Sequence, residues 1–277
     1  MKQTIIHISD LHFHTYPKNF HEWKSKRLLG MANLIFKRAR QFPLGRAKQM
    51  VEQIDKMEWD YIVISGDITQ MSLESEFLLA RETLEPLLKD KTKVTVIPGN
   101  HDRYINQNLC YDNFKKYFGE FFGNGEVHLR ELNSEWAILG WDSAHPNDWF
   151  SAAGTVKRNT INVSENIIRS FPKNKRFMIV NHYPLTFPEG WKFDQFHELY
   201  NIVPVRKWIL SQSQIRVYLH GHIHINWVHN LDRKPDSELL LVNSASSSAI
   251  PYSGQKSSFH QIELEGYNLD IKPILLN

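Results

Sequence analysis

The side chains able to do chemistry in this 277-residue chain gather in five short blocks. Asp10-Leu11-His12 joins a carboxylate to an imidazole, and Gly66-Asp67 supplies a second carboxylate. Gly99-Asn100-His101-Asp102 offers an amide oxygen, an imidazole and a third carboxylate. Asn181-His182 and His220-Gly221-His222-Ile223-His224 add imidazoles. Imidazole, carboxylate and amide oxygen, with no thiolate among them, suit Mn, Fe, Zn or Co rather than a structural cysteine–zinc site. Seven such groups are too many for one tetrahedral ion and about right for two. One carboxylate would bridge, with the ions about 3.5–4 Å apart. In an extended segment residues i and i+2 point the same way, so Asp10 with His12, and His222 with His224, read as ligand pairs.

Each block needs an element to deliver it. Residues 5–8, 61–64 and 94–97 are short β-branched runs that lead directly into the first three blocks. Residues 136–139, 177–180, 216–219, 239–242 and 259–264 read the same way. Helical spacing of apolar residues over 22–57 and 74–89 separates the first three strands, which implies βαβ units and a parallel or mixed sheet. The second half is richer in strand, and 243–258 reads as a loop on the side of the active site. The expected fold is α+β, a two-sheet β-sandwich with helices outside, in one domain over 1–277. Loops at the carboxyl ends of such strands converge on one edge, where ligand sites gather.

At this point the five blocks, in this order over residues 10–224, resemble the calcineurin-like metallophosphoesterase superfamily. The resemblance implies a four-layer sandwich and a dinuclear centre, with Mn and Fe favoured. Asp10, His12 and His224 would bind one metal, Asn100, His182 and His222 the other, and Asp67 would bridge. His101 resembles the family's acid or phosphate-contacting histidine, with Asp102 fixing its orientation. Two adjacent cations lower the pKa of a shared water enough to supply a metal-bound hydroxide near neutral pH. They also offset the charge that builds in an in-line displacement, while His101 protonates the leaving alkoxide. Gln70 stands where many members carry an aspartate. The longer Gly-Asp and Gly-Asn-His-Glu blocks of the protein phosphatases are absent, which disfavours that activity.

The implied reaction is hydrolysis of a small-molecule phosphodiester, a cyclic nucleotide or a relative. The alternative is a membrane-surface hydrolase of a UDP-diacylglucosamine-like lipid pyrophosphate, although those enzymes commonly carry Gly-Asn-Arg-Asp in place of Gly-Asn-His-Asp. A non-catalytic scaffold is disfavoured because every ligand block is intact. The lipid reading comes from a basic helical insertion at about 17–48. Lys18, Lys24, Lys26, Arg27, Lys37, Arg38, Arg40, Arg46 and Lys48 face only Glu22, beside an apolar stripe of Leu28, Met31, Ala32, Ile35, Ala39 and Phe42 that Leu29 and Phe36 widen. It reads either as a helix packed on the sheet with a solvated basic face, or as an interfacial or lid helix meeting an anionic membrane or an acylated substrate.

Composition sets broad limits. A net charge of +3 is small for a nucleic-acid binder, so nucleic acid is disfavoured as a partner. The single Cys110 permits no intramolecular disulfide. Without a signal peptide or a run of about 18 apolar residues, the expected location is cytoplasmic, with the basic segment offering peripheral contact to the inner membrane face. Of the remaining histidines, His7 reads as a strand residue on a polar face or a satisfied interior group, and His220 as support for His222. His14, His21, His128, His197, His229 and His260 default to the surface. His145 stands on a loop that would reach the cleft. Arg103 and Tyr104 read as rim or packing residues, Asn181 as a turn or supporting amide, and Trp136 and Trp141 as core.

Overall fold

A computed structural model describes residues 2–17, 26–33, 39–105, 108–148, 150–192, 194–233, 237–244, 247–250 and 256–276. Two mixed sheets lie face to face. The first runs β11-β10-β1-β2-β3, with β1 (Lys2–Ile8), β2 (Tyr61–Ile64) and β3 (Val94–Val96) parallel, and β10 (Ser258–Glu265) and β11 (Asn268–Leu275) antiparallel to their neighbours. The second runs β4-β5-β6-β7-β9-β8. Here β5 (Trp136–Trp141), β6 (Arg176–Val180), β7 (Ile215–His220) and β9 (Ser237–Ser244) are parallel. The outer strands β4 (Val127–Glu131) and β8 (Asn226–Arg233) are antiparallel.

Strand alternation divides the apolar residues into layers. Ile5 and Val63 face the second sheet, where they meet Ile138, Met178, Val180, Val217, Leu219 and Val242. Ile6, Ile8, Ile62 and Ile64 face outward, against α3 (Leu44–Asp55), α4 (Glu74–Leu84) and α5 (Asn108–Phe122). On the far side Leu139, Phe177, Ile179 and Leu241 pack on α6 (Arg158–Ser170) and α7 (Ile202–Ser211). The layers are helices, sheet, sheet, helices, which is the expected sandwich.

Of the segment 17–48, the described residues form α1 (Lys26–Asn33), α2 (Ala39–Gln41) and the start of α3, just after Pro43. Lys18, His21, Glu22, Lys24, Ile35, Phe36, Lys37 and Arg38 lie outside the described residues. The buried face of α1 is Arg27, Gly30 and Met31, an i, i+3, i+4 stripe. Leu28, expected on the apolar side, is instead exposed. The reason is Tyr104: a Cβ at Gly30 would lie 2.7 Å from its hydroxyl, so the helix turns its glycine towards that ring. Arg27 is buried too, donating to the carbonyls of Met71 and Ser72 at 3.1 and 2.9 Å. Lys26 donates to the carbonyl of Ser151. Among the described residues no helix is long and apolar enough to cross a membrane.

Two further expectations change. His128 and His260, assigned to the surface by default, are buried, and His7 is interior. His260 and His7 share the hydroxyl of Ser244, at 2.7 and 2.9 Å, and His7 also bonds Ser65 Oγ at 2.8 Å. The carbonyl of Phe122 takes His128 Nδ1 at 2.7 Å. Both ring nitrogens of His7 thus have the partners a buried imidazole needs, while Nε2 of His128 is buried with none among the described residues.

Candidate active site

The ends of β1, β2, β3, β6 and β7 bring the five blocks together. Asp10 N donates to Gly66 O at 3.1 Å, His12 N to Asp67 O at 3.0 Å and Gly221 N to His182 O at 3.0 Å, so the loops are stitched to one another by backbone. Backbone N–H groups also aim at the carboxylates. His222 N reaches both oxygens of Asp10 at 3.1 Å, and His101 N reaches Asp67 Oδ1 at 2.8 Å.

The i, i+2 pairs converge, but not by the extended alternation expected of them. Asp10 (φ 54°), His12 (49°), Asp67 (51°), His222 (76°) and His224 (50°) all have left-handed backbone, joined among the described non-glycine residues by Ser72 alone. That conformation costs a non-glycine residue about 1–2 kcal/mol. Its concentration at five of the seven candidate ligands marks a place where fold stability is spent on side-chain direction.

The donor atoms meet in two groups that share Asp67: Asp10, His12, Asp67 and His224, and Asp67, His182 and His222. Within each group all donor atoms lie within 4.8 Å of one another. In the first, His224 Nε2 is 3.3 Å from Asp10 Oδ1 and 3.0 Å from His12 Nε2, which is 3.8 Å from Asp67 Oδ2. In the second, His182 Nε2 is 3.4 Å from Asp67 Oδ2 and 3.3 Å from His222 Nδ1. Asn100 Oδ1 joins it, 2.9 Å from His222 Nδ1 and 3.1 Å from His182 Nε2. Bonds of about 2.1 Å to one ion place neighbouring ligands about 3.0 Å apart in an octahedron and about 3.4 Å apart in a tetrahedron. Imidazole nitrogens that approach one another at these spacings have the edges of coordination polyhedra, so the residues fit a pair of ions.

Carbonyl groups set the ring tautomers. His182 Nδ1 donates to Ser65 O at 2.9 Å, and His222 Nε2 donates to His197 O. Each bond turns the other ring nitrogen into the acceptor that faces the cluster. Phe42, the last residue of the basic segment's apolar stripe, packs its ring 4.4 Å from that of His12 and 5.5 Å from that of His224. Ser247 Oγ, on the expected loop 243–258, accepts from Ser9 N at 3.1 Å; residues 245–246 and 251–255 lie outside the described residues.

Electrostatics follow from burying so many charges together. Burial works to raise the Asp67 pKa, but the His182 and His101 imidazoles outweigh it and hold the carboxyl well below the usual range. Burial likewise pulls His182 down, yet Asp67 lifts it to about 9. His222 falls to about 3 through burial and the charge of His182. Asp67 and His182 thus favour each other's charged forms, and an ion bound there would displace the proton of His182.

The pairing expected between Asp102 and His101 is not how either is held. His101 Nδ1 donates to Gln70 O at 2.6 Å, and its ring stacks on Tyr104 with centroids 5.4 Å apart. The Asp102 carboxylate accepts from Gly99 N (2.9 Å), Ile68 N (3.2 Å), Thr69 N (2.8 Å) and Thr69 Oγ1 (2.8 Å). With those donors around it, Asp102 clamps the loop after β2 to the loop after β3. Burial, and then the charge of Asp67, push its pKa up to about 6.

Around the cluster, His220 is buried with Nδ1 on Gly221 O at 3.1 Å. Arg103 is buried and paired with Asp142 at 2.9 Å, and Asn181 donates to Tyr218 Oη at 2.8 Å. His145 Nε2 lies 3.2 Å from Thr155 Oγ1. The wall opposite the cluster, with Trp191, Asp194, His197 and Glu198, carries no sequence signal beyond its mixture of aromatic and acidic residues.

Residues 3–226 match the family described as calcineurin-like phosphoesterase. The chain belongs to that family. Among its relatives, this calcineurin-like phosphoesterase is 25% identical over 176 residues to the 3′,5′-cyclic adenosine monophosphate phosphodiesterase CpdA of Haemophilus influenzae. That alignment takes in 62% of this chain and 57% of the relative, so it spans little more than half of that protein. A protein of Ruthia magnifica described as a probable cyclic nucleotide phosphodiesterase is 25% identical over 179 residues, 64% of this chain and 67% of its own length. In fold, the chain is similar to a dimetal phosphatase from Danio rerio (TM-score 0.70, 12% identity, 99% of this chain and 96% of that one). It is also similar to a purple acid phosphatase from yellow lupin (0.63, 12%, 99% and 52%).

Proposed function

We propose that the chain hydrolyses phosphodiesters, cyclic nucleotides foremost, at a dinuclear metal centre. Asp10, His12 and His224 would hold one ion, Asn100, His182 and His222 the other, and Asp67 both; Mn, Fe, Zn or Co suits this donor set, and the family resemblance favours Mn and Fe. The observation that carries the reading is Asp67 standing in two compact groups of donor atoms. Bound ions would act as Lewis acids on the phosphoryl oxygens and make water a nucleophile near neutral pH. His101 gives its proton from Nε2 to the leaving alkoxide, because Gln70 O engages Nδ1 and sets the ring's direction. Asp102 keeps the two ligand loops in register for that transfer. The cyclic nucleotide assignment draws on what the curated relatives are named for. The inward-turned Lys26 and Arg27 favour a packed role for segment 17–48 over membrane contact and a lipid pyrophosphate substrate.

The test is a metal-reconstituted panel read by phosphorus NMR. It contains bis(p-nitrophenyl) phosphate, cyclic nucleotides, a phosphomonoester and a UDP-diacylglucosamine. Metal-dependent turnover of the diesters is expected, and Asp67→Ala should lose both metal stoichiometry and rate. Two bound ions with no turnover of any diester would overturn the reading.

A further inference from the structure

The cleft over the donor cluster has a second wall that the hydrolytic chemistry does not use. Trp191, Lys192, Asp194, His197 and Glu198 form it, and they face a space of about 360 Å³ shared with His101 and His222. That volume lies in the range of small-molecule sites. The wall is built into the fold. Ala152 N donates to Phe196 O at 2.7 Å, Gly154 N to Glu198 O at 3.1 Å and Tyr200 N to Gly154 O at 3.0 Å. Gly154 is required there, since a Cβ would stand 2.2 Å from the Tyr183 ring. The carbonyl of His197 accepts from His222 Nε2, which ties the wall to the donor cluster.

Glu198 is the unexplained member. Its residue is only 3% exposed although it lines the cleft. Oε1 accepts from Asp194 N at 3.2 Å and, more distantly, from Trp191 Nε1 at 3.4 Å. Oε2 is buried without a hydrogen-bond partner among the described residues. A buried carboxylate oxygen without a donor is costly, and a bound donor relieves that cost. Beside it, the half-exposed Trp191 indole is stacked on Phe187 at 5.9 Å and 12°, which presents a flat, supported aromatic face. An aromatic plate next to an unmet acceptor matches a nucleoside, a flat π-system that carries N–H and O–H donors.

We propose that Trp191 and Glu198 are specificity residues for the nucleoside of a phosphodiester substrate, the base lying on the indole and Glu198 Oε2 accepting a donor from the base or the ribose. This rests on the phosphodiesterase reading and names the part of the substrate that distinguishes one diester from another.

The test compares wild type, Glu198→Gln and Trp191→Leu as full chains loaded with Mn. Calorimetry reads the binding of adenosine, which has no phosphoester to cleave, and kinetics read adenosine 3′,5′-cyclic phosphate against bis(p-nitrophenyl) phosphate. Glu198→Gln should weaken adenosine and raise KM for the cyclic nucleotide roughly tenfold, the worth of one hydrogen bond to a charged acceptor. The KM for bis(p-nitrophenyl) phosphate, which has no donor, should not show that rise. Trp191→Leu, at a half-exposed position where folding is not at stake, should raise KM for both aromatic substrates. The 2′-deoxy and N6,N6-dimethyl analogues separate ribose from base, because the analogue missing the donor that Glu198 accepts should weaken binding to wild type more than to Glu198→Gln. Adenosine and cyclic-nucleotide constants equal to wild type in Glu198→Gln would overturn the proposal. Wild-type turnover of bis(p-nitrophenyl) phosphate with no nucleoside binding would overturn it too, and leave the phosphodiesterase reading standing. Glu198-dependent binding of adenosine with no hydrolysis of any diester would sustain the wall and remove the hydrolytic reading.

Discussion

A methyl group at Gly221 would sit 2.1 Å from Ser9 Oγ and 2.2 Å from Asp10 Oδ2. Neither atom has room to yield, because Asp10 is fully buried and pinned by His222 N at 3.1 Å. Gly221→Ala should therefore move Asp10 away from His224 and lower metal content from the proposed two ions towards one per chain, as elemental analysis would read. Unchanged stoichiometry would show that the loop can relax. His101→Ala tests a different property. Its ring lies edge-on to His12 at 4.8 Å but belongs to neither donor group, so metal content should be kept. Loss of a general acid costs about 10²–10⁴ in rate, and should be largest for alkyl leaving groups and smallest for p-nitrophenolate. Full activity on an alkyl diester would remove the role.

At the scale of elements, Asp102 joins the turns after β2 and β3 through three backbone N–H groups. Asp102→Ala would strand those buried donors, at roughly 1–3 kcal/mol each. A loss of about 3 kcal/mol or more is expected in urea unfolding, with Asp102→Asn intermediate; a variant as stable as wild type would rule out the clamp. How much of this was legible in the sequence varies with position in the sheets. All eight expected strands exist, and the three that escaped notice, β4, β8 and β11, are outermost in their sheets. An edge strand buries less and so carries a weaker apolar pattern, as the largely exposed residues of β11 illustrate. The five ligand blocks were legible because short loops at strand ends bring them together whatever the intervening chain does. Their left-handed backbone was not, since an aspartate or histidine in that conformation looks no different in sequence. Glu198 and Trp191 were not legible either, because their meeting depends on a loop stitched to residues 151–155, more than thirty positions earlier.

At the scale of the whole molecule, the two sheets meet in a core that is apolar at its centre and turns polar towards the site, where His7, Ser65, Ser244 and His260 interlock. Burial lowers the His260 pKa to about 4. It also lowers that of His7 well below the usual imidazole value, helped by the charges of His260 and His220. The sign follows from linkage. In the unfolded chain these imidazoles titrate near 6.5, so between about 6.5 and 4 the unfolded state binds more protons and stability rises with pH. The contribution is complete above about 6.5 and is lost as pH falls towards 4. For His260 alone, a depression from 6.5 to about 4 corresponds to something on the order of 3 kcal/mol. Glutamine at 260 keeps a polar partner for Ser244 and cannot titrate. The difference in urea unfolding free energy between His260→Gln and wild type should therefore change by roughly that amount from pH 7 to pH 4, in favour of the variant as acid is added. The ligand histidines titrate in both proteins and cancel in that difference, because they lie outside the Ser244 network. Parallel pH profiles would show that the sheets open to admit a proton without separating.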